Sequence, residues 1–258
     1  MSLSFEDRRK VILKSLEKEE KVQVPILAEK FQVSGETIRR DLEKLEKEGV
    51  LKKVYGGAVK TKFKSWELPF DQKVPINEKE KRAICRAAAA LVEDGDSIMI
   101  GNGTTPLEIV RFLTDKRDIT LITHSTPVLL LAMEVFHGRM IFIGGEFERN
   151  QRSTIGPLSE RMLTNLKANK AFISAGGVST VDGITDYDLN GASISRKMME
   201  RAEDAVILAD HTKFGKTTFA YMCPINEASM IITDSQCSEE WKTTLAEKEV
   251  ELLIAEDV

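Results

Sequence analysis

The chain has 258 residues, of which 42% are hydrophobic and 30% charged, and this composition suits one large or two smaller packed, water-soluble domains. No apolar run approaches the roughly 18 residues of a membrane span, no signal-peptide core is present, and three widely separated cysteines fit neither a disulfide framework nor a zinc site. We therefore expect a reducing, cytoplasmic setting without a membrane or metal partner. The net charge of −4 divides into +5 for residues 1–64 and −9 for residues 65–258, as in proteins that join a nucleic-acid-binding module to another domain, although a solvated basic face gives the same balance.

Two helices are predicted near the start of the chain, over residues 6–19 and 25–31. In the first, Ile12 and Leu16 recur at helical spacing while the residues between them are mostly polar. Pro25 suits the first position of the second helix, because its missing N–H would be unpaired there in any case.

A third helix is predicted from the run 33–42. Ser34 is a good N-cap, since its hydroxyl can accept a hydrogen bond from a free N–H of the first turn. Ile38, Leu42 and Leu45 lie at i, i+4 and i+7 and form the inward face. The outward face is mostly polar: Gly35, Glu36, Thr37, Arg39, Arg40 and Lys44. Two short helices, a turn and a third helix with an exposed polar and basic start match the element that enters a DNA major groove.

DNA contacts are predicted on this third helix and on the hairpin after it. Thr37 and Arg39 are placed to reach a base or a phosphate, and Arg40 to lie along the DNA backbone. Lys44 is a further DNA contact expected on the same helix. Residues 50–58 are predicted to form a β-hairpin wing that ends at a glycine turn. The wing residues expected near phosphates are Lys52, Lys53 and Tyr55. Each of these residues alone is more often a solvated surface residue, so it is the ordered combination that favours DNA binding.

A family likeness appears in this N-terminal segment. It rests on the run 33–42, on Leu45 and Gly49, and on the wing sequence 54–58. Together these residues resemble the N-terminal signature of the DeoR family of repressors. In that family the element binds operator DNA, so the resemblance implies contacts by Ser34, Thr37, Arg39 and Arg40.

Residues 59–77 are predicted to link two domains. The stretch holds Lys60, Lys62 and Lys64, two prolines and little periodicity, and we expect it to become ordered as it meets the second domain. The predicted division is a winged helix-turn-helix over 1–58, a linker over 59–77 and an α/β domain over 78–258.

The larger domain is predicted to alternate strands and helices. Strands are expected at 97–101, 119–123, 140–143, 170–175, 205–209, 229–233 and 250–254. Helices are expected at 78–93, 106–114, 127–135, 157–166, 192–203 and 238–247. Most of the strands are continuous apolar runs, as in a parallel sheet covered on both faces. The fold class expected is therefore α/β, with a mostly parallel sheet behind the helix-turn-helix.

Glycines and polar residues gather where five of these strands end. The segments are 101–105, 123–125, 144–145, 176–177 and 210–213. Ligands of open α/β sheets bind at the carboxyl ends of strands, so one binding site is predicted along this edge. In Gly101–Thr105, small residues let main-chain N–H groups approach an anion and hydroxyls add donors, which suits a phosphate; a plain tight turn explains the segment about as well. Lys213 is placed to supply a positive charge.

The family likeness continues through the second half. It rests on 103–105, 144–145, 156, 183–185, 210 with 213–215, and 233–234. These segments resemble the sensor domain of the DeoR family, whose fold resembles sugar-phosphate isomerases and CoA-transferases. Members typically bind phosphorylated sugars or related intermediates, which release the repressor from DNA.

The resemblance implies an effector site and no other cofactor. The phosphate is expected at Asn102, Gly103, Thr104 and Thr105. Candidates around the rest of the effector are Thr123, His124, Gly176, Gly177, Asp186, Asp188 and Lys213, with Arg152 as a second anion contact. The family often has asparagine at position 124 and an acidic residue near position 190, where this chain has His124 and Asn190. Both departures bear on the identity of the effector.

Two other functions fit the sequence. A sugar-phosphate isomerase or deaminase with a DNA-binding head would use His124, Asp186, Asp210 and His211 as acid–base groups, but no tight catalytic constellation appears, so we expect no enzyme. A dimerisation protein without ligand response is the other alternative. Helix-turn-helix proteins bind paired half-sites as symmetric oligomers, so we also expect a homo-oligomer.

Overall fold

The computed structural model describes residues 4–19, 21–47, 51–60 and 67–256. The chain divides into two compact units, Met1–Glu67 and Leu68–Val258. Gly49, the first residue of the predicted wing and residues 61–66 of the predicted linker lie outside the described ranges. Within those ranges, none of the helices has both the length and the apolar character needed to cross a membrane.

The first unit is a helix-turn-helix with a wing, as predicted. Its elements are α1 (Phe5–Glu19), β1 (Lys21–Gln23), α2 (Val24–Phe31), α3 (Gly35–Lys47), β2 (Leu51–Val54) and β3 (Gly57–Lys60). Gln32 ends α2 in the left-handed region with φ 52°, and its N–H bonds back to carbonyls of the last turn. The predicted inward face of α3 is confirmed, since Ile38, Leu42 and Leu45 are at most 1% exposed.

A small antiparallel sheet and a buried ion pair complete this unit. Strand β3 lies between β1 and β2; β1 was not predicted, because three residues carry too little alternation to be recognised. The guanidinium of Arg8 on α1 donates to both carboxylate oxygens of Asp41 on α3, at 2.6 and 3.1 Å. Both residues are buried, so the pair fixes α1 against α3.

The second unit is built around a seven-stranded parallel sheet. Its helices are α4 (Phe70–Lys73), α5 (Glu78–Ala90), α6 (Thr126–Val135), α7 (Pro157–Thr164), α8 (Leu189–Glu200) and α9 (Glu239–Glu247), with 3-10 helices at Pro106–Phe112, His211–Lys213 and Ile225–Glu227. Its strands are β4 (Ser97–Ile100), β5 (Thr120–Thr123), β6 (Arg139–Phe142), β7 (Glu146–Glu148), β8 (Ser153–Ile155), β9 (Ala168–Ser174), β10 (Gly177–Ser179), β11 (Gly183–Asp186), β12 (Ala202–Leu208), β13 (Ala220–Cys223), β14 (Met230–Thr233) and β15 (Glu251–Ile254). The main sheet has the order β15-β14-β12-β9-β4-β5-β6, with every neighbouring pair parallel. All seven predicted strands are in it.

Both faces of this sheet are covered. Ile98 and Ile100 of β4 belong to one apolar cluster, together with Ile84 of α5. Met99, between them, belongs to a second cluster with Met198 of α8. Successive side chains of a strand point to opposite faces, so the continuous apolar runs reflect burial on both sides, and the predicted fold class is confirmed.

Two helix predictions need correction. The segment Pro106–Phe112 is a 3-10 helix rather than an α-helix; the N–H of Glu108 bonds to Thr105 O at 3.1 Å, three residues back, and the β-branched residues that follow disfavour a longer α-helix. Helix α8 begins at Leu189 rather than 192, because the Asp188 carboxylate caps it by accepting from Gly191 N–H at 2.8 Å. The antiparallel β7–β8 pair and the sheet β10-β11-β13 were also missed, since their strands have only three or four residues.

Candidate functional site

The first candidate site is the exposed face of α3. Ser34 Oγ accepts from Thr37 N–H at 3.1 Å and lies 2.9 Å from the Thr37 hydroxyl, so the predicted N-cap is present. The side chains of Arg39 and Arg40 are 62% and 76% exposed and lie 3.3 and 3.8 Å from the Glu36 carboxylate. Exposed ion pairs of this kind contribute little to stability. Both guanidinium groups can therefore leave Glu36 and contact a DNA phosphate or base edge instead.

The rest of the predicted DNA-contact set lies on the same unit. Lys44 is exposed on α3, with its Nζ 4.6 Å from the centre of the Phe5 ring. On the wing, Lys52 and Tyr55 are exposed, Tyr55 completely, and Lys53 is half-buried. Basic and polar side chains are therefore exposed or half-buried both on α3 and on the described part of the wing.

The second candidate site is the carboxyl edge of the main sheet. The neighbouring strands β12, β9, β4 and β5 all end there, so the loops that follow them are adjacent. Hydrogen bonds join these loops: Asn102 N–H donates to His124 Nε2 at 3.2 Å, and the Ser174 hydroxyl donates to Asn102 O at 2.8 Å. The loops after β9, β4 and β5 thus form one connected surface.

The loop after β4 contains polar groups without a partner among the described residues. The main-chain N–H groups of Gly103, Thr104 and Thr105 donate no hydrogen bond to any of them. Both threonines are buried, and within the same ranges the buried side-chain oxygen of Asn102 accepts no hydrogen bond. A side chain at Gly103 is excluded, because φ is +134° and a Cβ would lie 2.7 Å from Ser174 Oγ. Unpaired buried polar groups are costly, so hydrogen-bonding partners from outside the described residues would stabilise this loop.

His124 and Thr123 hold two of these loops together. His124 Nδ1 lies 2.8 Å from Thr154 O, and a carbonyl can only accept, so we assign the ring proton to Nδ1; Nε2 then accepts from Asn102. Burial lowers the pKa of His124 to about 4. The Thr123 hydroxyl donates to Ile100 O at 2.7 Å. The polar atoms of both residues are therefore engaged by the main chain.

Lys81 on α5 is a residue of this edge that the sequence analysis missed. It is 5% exposed, and its Nζ donates to Lys73 O at 2.6 Å and to Val74 O at 3.4 Å. Burial lowers its pKa to about 8; the nearby Asp210 carboxylate opposes this shift, and Lys213 and Lys73 add to it. A buried amine with a strongly lowered pKa beside a carboxylate is typical of functional sites.

The sequence does contain a signal for Lys81. The residue lies three and seven positions before Ile84 and Ala88, both of which are completely buried. A lysine on the inward face of an amphipathic helix either extends to solvent or serves a buried site. The alanine-rich part of α5 dominates the sequence pattern there, so the inward position of Lys81 is easily missed.

Asp210 and Lys213 lie close to Lys81. The Asp210 carboxylate is buried and accepts the Thr212 N–H at 2.9 Å and the Thr212 hydroxyl. Burial raises the pKa of Asp210, but Lys213 and the bonds from Thr212 outweigh burial and leave the pKa below its ordinary value. An anion at this edge thus meets two ammonium groups and one carboxylate.

Arg152 faces a different segment. It has φ 55°, its guanidinium donates to the Asp71 carboxylate at 2.6 Å, and its carbonyl accepts from Thr126 N–H at 2.9 Å. In the described part of the chain, Asp71 is its one ionic partner. The structure therefore connects Arg152 to α4 rather than to the loop after β4.

Gly176 and Gly177 allow two segments of main chain to approach. A Cβ on Gly176 would lie 2.8 Å from Thr218 Oγ1 and 3.1 Å from Asp186 Cα, and one on Gly177 would lie 2.3 Å from Lys216 O. Asp186, at the end of β11, thereby reaches the edge where β9 ends, with Oδ1 accepting from Tyr187 N–H at 2.6 Å. Asp188, two residues later, is the exposed cap of α8.

Within the ranges that are described, no group of three or more histidine, cysteine or acidic side chains is arranged to hold a metal ion. The chemistry that the sheet edge offers is hydrogen bonding and charge: three main-chain donors, two lysines, and the oxygens of Asn102 and Asp210. This combination suits an anionic ligand that also carries hydroxyl groups.

Both units match family models. Residues 8–63 match the DeoR-like helix-turn-helix domain, and residues 76–235 match the DeoR C terminal sensor domain. Between them the two matches span most of the chain.

Similar proteins extend over nearly the whole length. The chain is 32% identical over 234 residues to the HTH-type transcriptional regulator IolR of Bacillus subtilis, covering 91% of this chain and 93% of that protein. It is 32% identical over 240 residues to the lactose phosphotransferase system repressor of Staphylococcus aureus, covering 92% and 95%. Among solved structures, ribose 5-phosphate isomerase A of Methanocaldococcus jannaschii is similar at 20% identity and a TM-score of 0.40, over 54% of this chain and 55% of that chain.

Proposed function

Because the chain belongs to the DeoR family of transcriptional regulators, we propose that it is a repressor whose hold on operator DNA is released by a phosphorylated sugar or a related phosphorylated metabolite. The effector binds at the carboxyl edge of the main sheet, without a further cofactor. The operator is bound by the exposed face of α3 and by the wing. The regulator acts in the cytoplasm as a homo-oligomer, so that two heads meet paired half-sites.

The unpaired donors at the sheet edge are the main support for this proposal. A phosphate ester carries about −1.5 to −2 charges and three strongly accepting oxygens. The N–H groups of Gly103, Thr104 and Thr105 supply donors that have no other described partner, and Lys81 and Lys213 supply charge. A ligand with fewer oxygens leaves some of these donors unsatisfied.

The part of the ligand beyond the phosphate is expected to carry hydroxyl groups. The partnerless Asn102 side-chain oxygen needs a donor, and Asp186 adds further acceptors nearby. A relative at 32% identity is named as a repressor of a lactose phosphotransferase system, which supports a link to sugars.

A sensor is favoured over an isomerase. Both ring nitrogens of His124 are engaged by main-chain groups, and the lowered pKa keeps the ring neutral. His124 is therefore poorly suited to transfer protons during turnover. Incubation of the purified protein with aldose and ketose phosphates is expected to show no interconversion above background; turnover that depends on Asp210 would favour the enzyme.

The test combines DNA binding with effector release. An operator is recovered by in vitro selection with the wild-type protein, and binding is followed by fluorescence anisotropy at several salt concentrations. Affinity should fall steeply with salt as counterions are released. Arg39→Ala and Arg40→Ala should weaken binding, whereas Arg82→Ala, at an exposed position on α5, should not. Arginine variants that bind as tightly as wild type would remove the assignment of α3.

A panel of phosphates is then added to the complex: inorganic phosphate, D-glucose 6-phosphate, D-fructose 6-phosphate, D-ribose 5-phosphate and glycerol 3-phosphate. At least one sugar or polyol phosphate should release DNA. Thr104→Ala and Lys213→Ala should bind DNA normally but need more effector, while Lys79→Ala, an exposed control, should match wild type. Normal release by both site variants would place the effector elsewhere.

A further inference from the structure

His211 is held rigidly at the same sheet edge. It is the first residue of the 3-10 helix after β12, and Asp234 directly follows the neighbouring strand β14. The Asp234 carboxylate accepts the His211 main-chain N–H at 2.8 Å through one oxygen and lies 2.9 Å from the ring Nδ1 through the other. His211 is therefore fixed through both its main-chain N–H and its ring.

The hydrogen bonds of Asp234 assign the ring tautomer. Asp234 is 1% exposed and also accepts from Gln236 N–H at 3.0 Å. An ionised carboxylate, which here already receives two main-chain N–H groups, can only accept, so we assign the ring proton of His211 to Nδ1. The lone pair of the neutral ring is then on Nε2. In the described part of the chain Nε2 makes no hydrogen bond, and the side chain is 27% exposed.

A comparison with His124 separates the two histidines. Both lie at the carboxyl edge, yet the two nitrogens of His124 are bonded to main-chain groups, as expected of a histidine that only holds loops together. His211 has one nitrogen fixed by a buried carboxylate and the other left free. This arrangement leaves Nε2 of His211 available as an acceptor for a group from outside the described chain.

The charged groups around His211 indicate which part of a ligand its Nε2 would contact. Asp210 precedes it and Lys213 follows two residues later, and both interact electrostatically with Lys81. These lysines are suited to the phosphate of an effector, whereas a neutral Nε2 accepts only from a donor such as a hydroxyl group.

We propose that His211 contacts the effector through Nε2, which accepts a hydrogen bond from a hydroxyl group of its sugar or polyol portion, and that Asp234 is the positioning residue. This inference rests on the proposed function and deepens it. The site then distinguishes a hydroxylated phosphate ester from inorganic phosphate or from an ester that lacks the hydroxyl.

The test uses isothermal titration calorimetry on the full chain at pH 8. The probes are inorganic phosphate, D-glucose 6-phosphate, D-fructose 6-phosphate, D-ribose 5-phosphate and glycerol 3-phosphate. His211→Asn keeps a donor near the position of Nδ1, and so the link to Asp234, but removes Nε2. His211→Gln restores a polar group near the position of Nε2. His137→Asn makes the same change at an exposed position and serves as the control.

We expect His211→Asn to bind the preferred sugar phosphate about tenfold more weakly, the effect of one lost hydrogen bond. Its affinity for inorganic phosphate should be unchanged, His211→Gln should recover part of the loss, and His137→Asn should match wild type. An Asn variant that keeps full affinity for the sugar phosphate, or that loses inorganic phosphate equally, overturns the inference. Wild-type protein that binds none of the probes overturns the proposed effector site itself, so the two failures are distinguishable.

Discussion

Replacing Lys81 with methionine tests whether the buried amine serves the effector rather than the fold. The pKa of Lys81 falls from the ordinary 10.5 to about 8, and each unit corresponds to about 1.4 kcal/mol. Allowing for residual screening by solvent, keeping this ammonium in the folded protein costs about 2 kcal/mol. Methionine removes that cost along with two hydrogen bonds to carbonyls, each worth about 1 kcal/mol, so the variant should be about as stable as wild type at pH 7.

The lowered pKa of Lys81 also fixes how the stability of the wild-type protein changes with pH. Because the folded pKa lies below the unfolded one, the unfolded chain binds the proton more tightly between pH 8 and 10.5. Wild-type stability should therefore gain about 2 kcal/mol over this range relative to Lys81→Met. Urea unfolding at pH 7 and at pH 10 measures the difference. Lys79→Met, at an exposed position on the same helix, should follow wild type at both values.

Phosphate binding should change the protonation of Lys81. A nearby dianion favours the charged amine, so binding takes up about half a proton at pH 8, where half of the amines are neutral, and about a tenth at pH 7. Calorimetry with inorganic phosphate in buffers of different ionisation enthalpy measures the total proton exchange, and the ionisation of the phosphate itself cancels in the difference between wild type and Lys81→Met. Lys81→Met should bind more weakly and lack the uptake by the amine. A difference in proton exchange that is the same at pH 7 and pH 8, or full affinity in Lys81→Met, would refute the placement of Lys81 in the site.

Two further predictions concern stability. Asp41→Asn leaves the buried guanidinium of Arg8 without its carboxylate, and losing one partner of such a pair costs about 3–5 kcal/mol; Asp71→Asn, which breaks the exposed pair with Arg152, should cost less than about 1 kcal/mol. Urea unfolding that shows the same loss of unfolding free energy in Asp41→Asn and in Asp71→Asn would contradict this reasoning. His124, with its pKa lowered from 6.5 to about 4, is neutral in the folded protein, so stability should fall by about 3 kcal/mol as the pH drops from 6.5 to 4. In thermal melts, His124→Asn should lack this part of the pH dependence. If the stability of wild type and of the variant fell in parallel between pH 6.5 and pH 4, the prediction would be wrong.

The main sheet could be predicted because its strands are buried on both faces. A continuous apolar run such as Ser97–Ile100 cannot be placed in a solvated loop, and glycine or proline residues mark where each run ends. The helix-turn-helix was predicted for a similar reason, since Ile38, Leu42 and Leu45 fix which face of α3 is buried. Pairing between distant segments was not visible: β1 is recognisable only through its pairing with β3. The 3-10 form of Pro106–Phe112 was not visible either, because its apolar spacing also fits an α-helix.

The position of the proposed effector site follows from the sequence more directly than the roles of its residues. Strand ends gather at one edge of a parallel sheet whatever the side chains are, so the position follows from topology. The role of each residue depends on partners that are distant in the chain. Asp188 caps α8, Arg152 pairs with α4, and Gly176 and Gly177 make room for main chain.

Lys81 and His211 show why some residues of the proposed site are hard to recognise. Lys81 precedes the loop after β4 by about twenty positions, and only the packing of α5 brings it close to Asp210. His211 gains its orientation from Asp234, which directly follows the neighbouring strand β14 and lies 23 residues later in the chain. Within the described ranges, Lys81 is a buried ammonium and His211 presents an acceptor without a donor. A ligand that supplied the partners of both groups would stabilise the folded protein by linkage, which is what the proposed effector site requires.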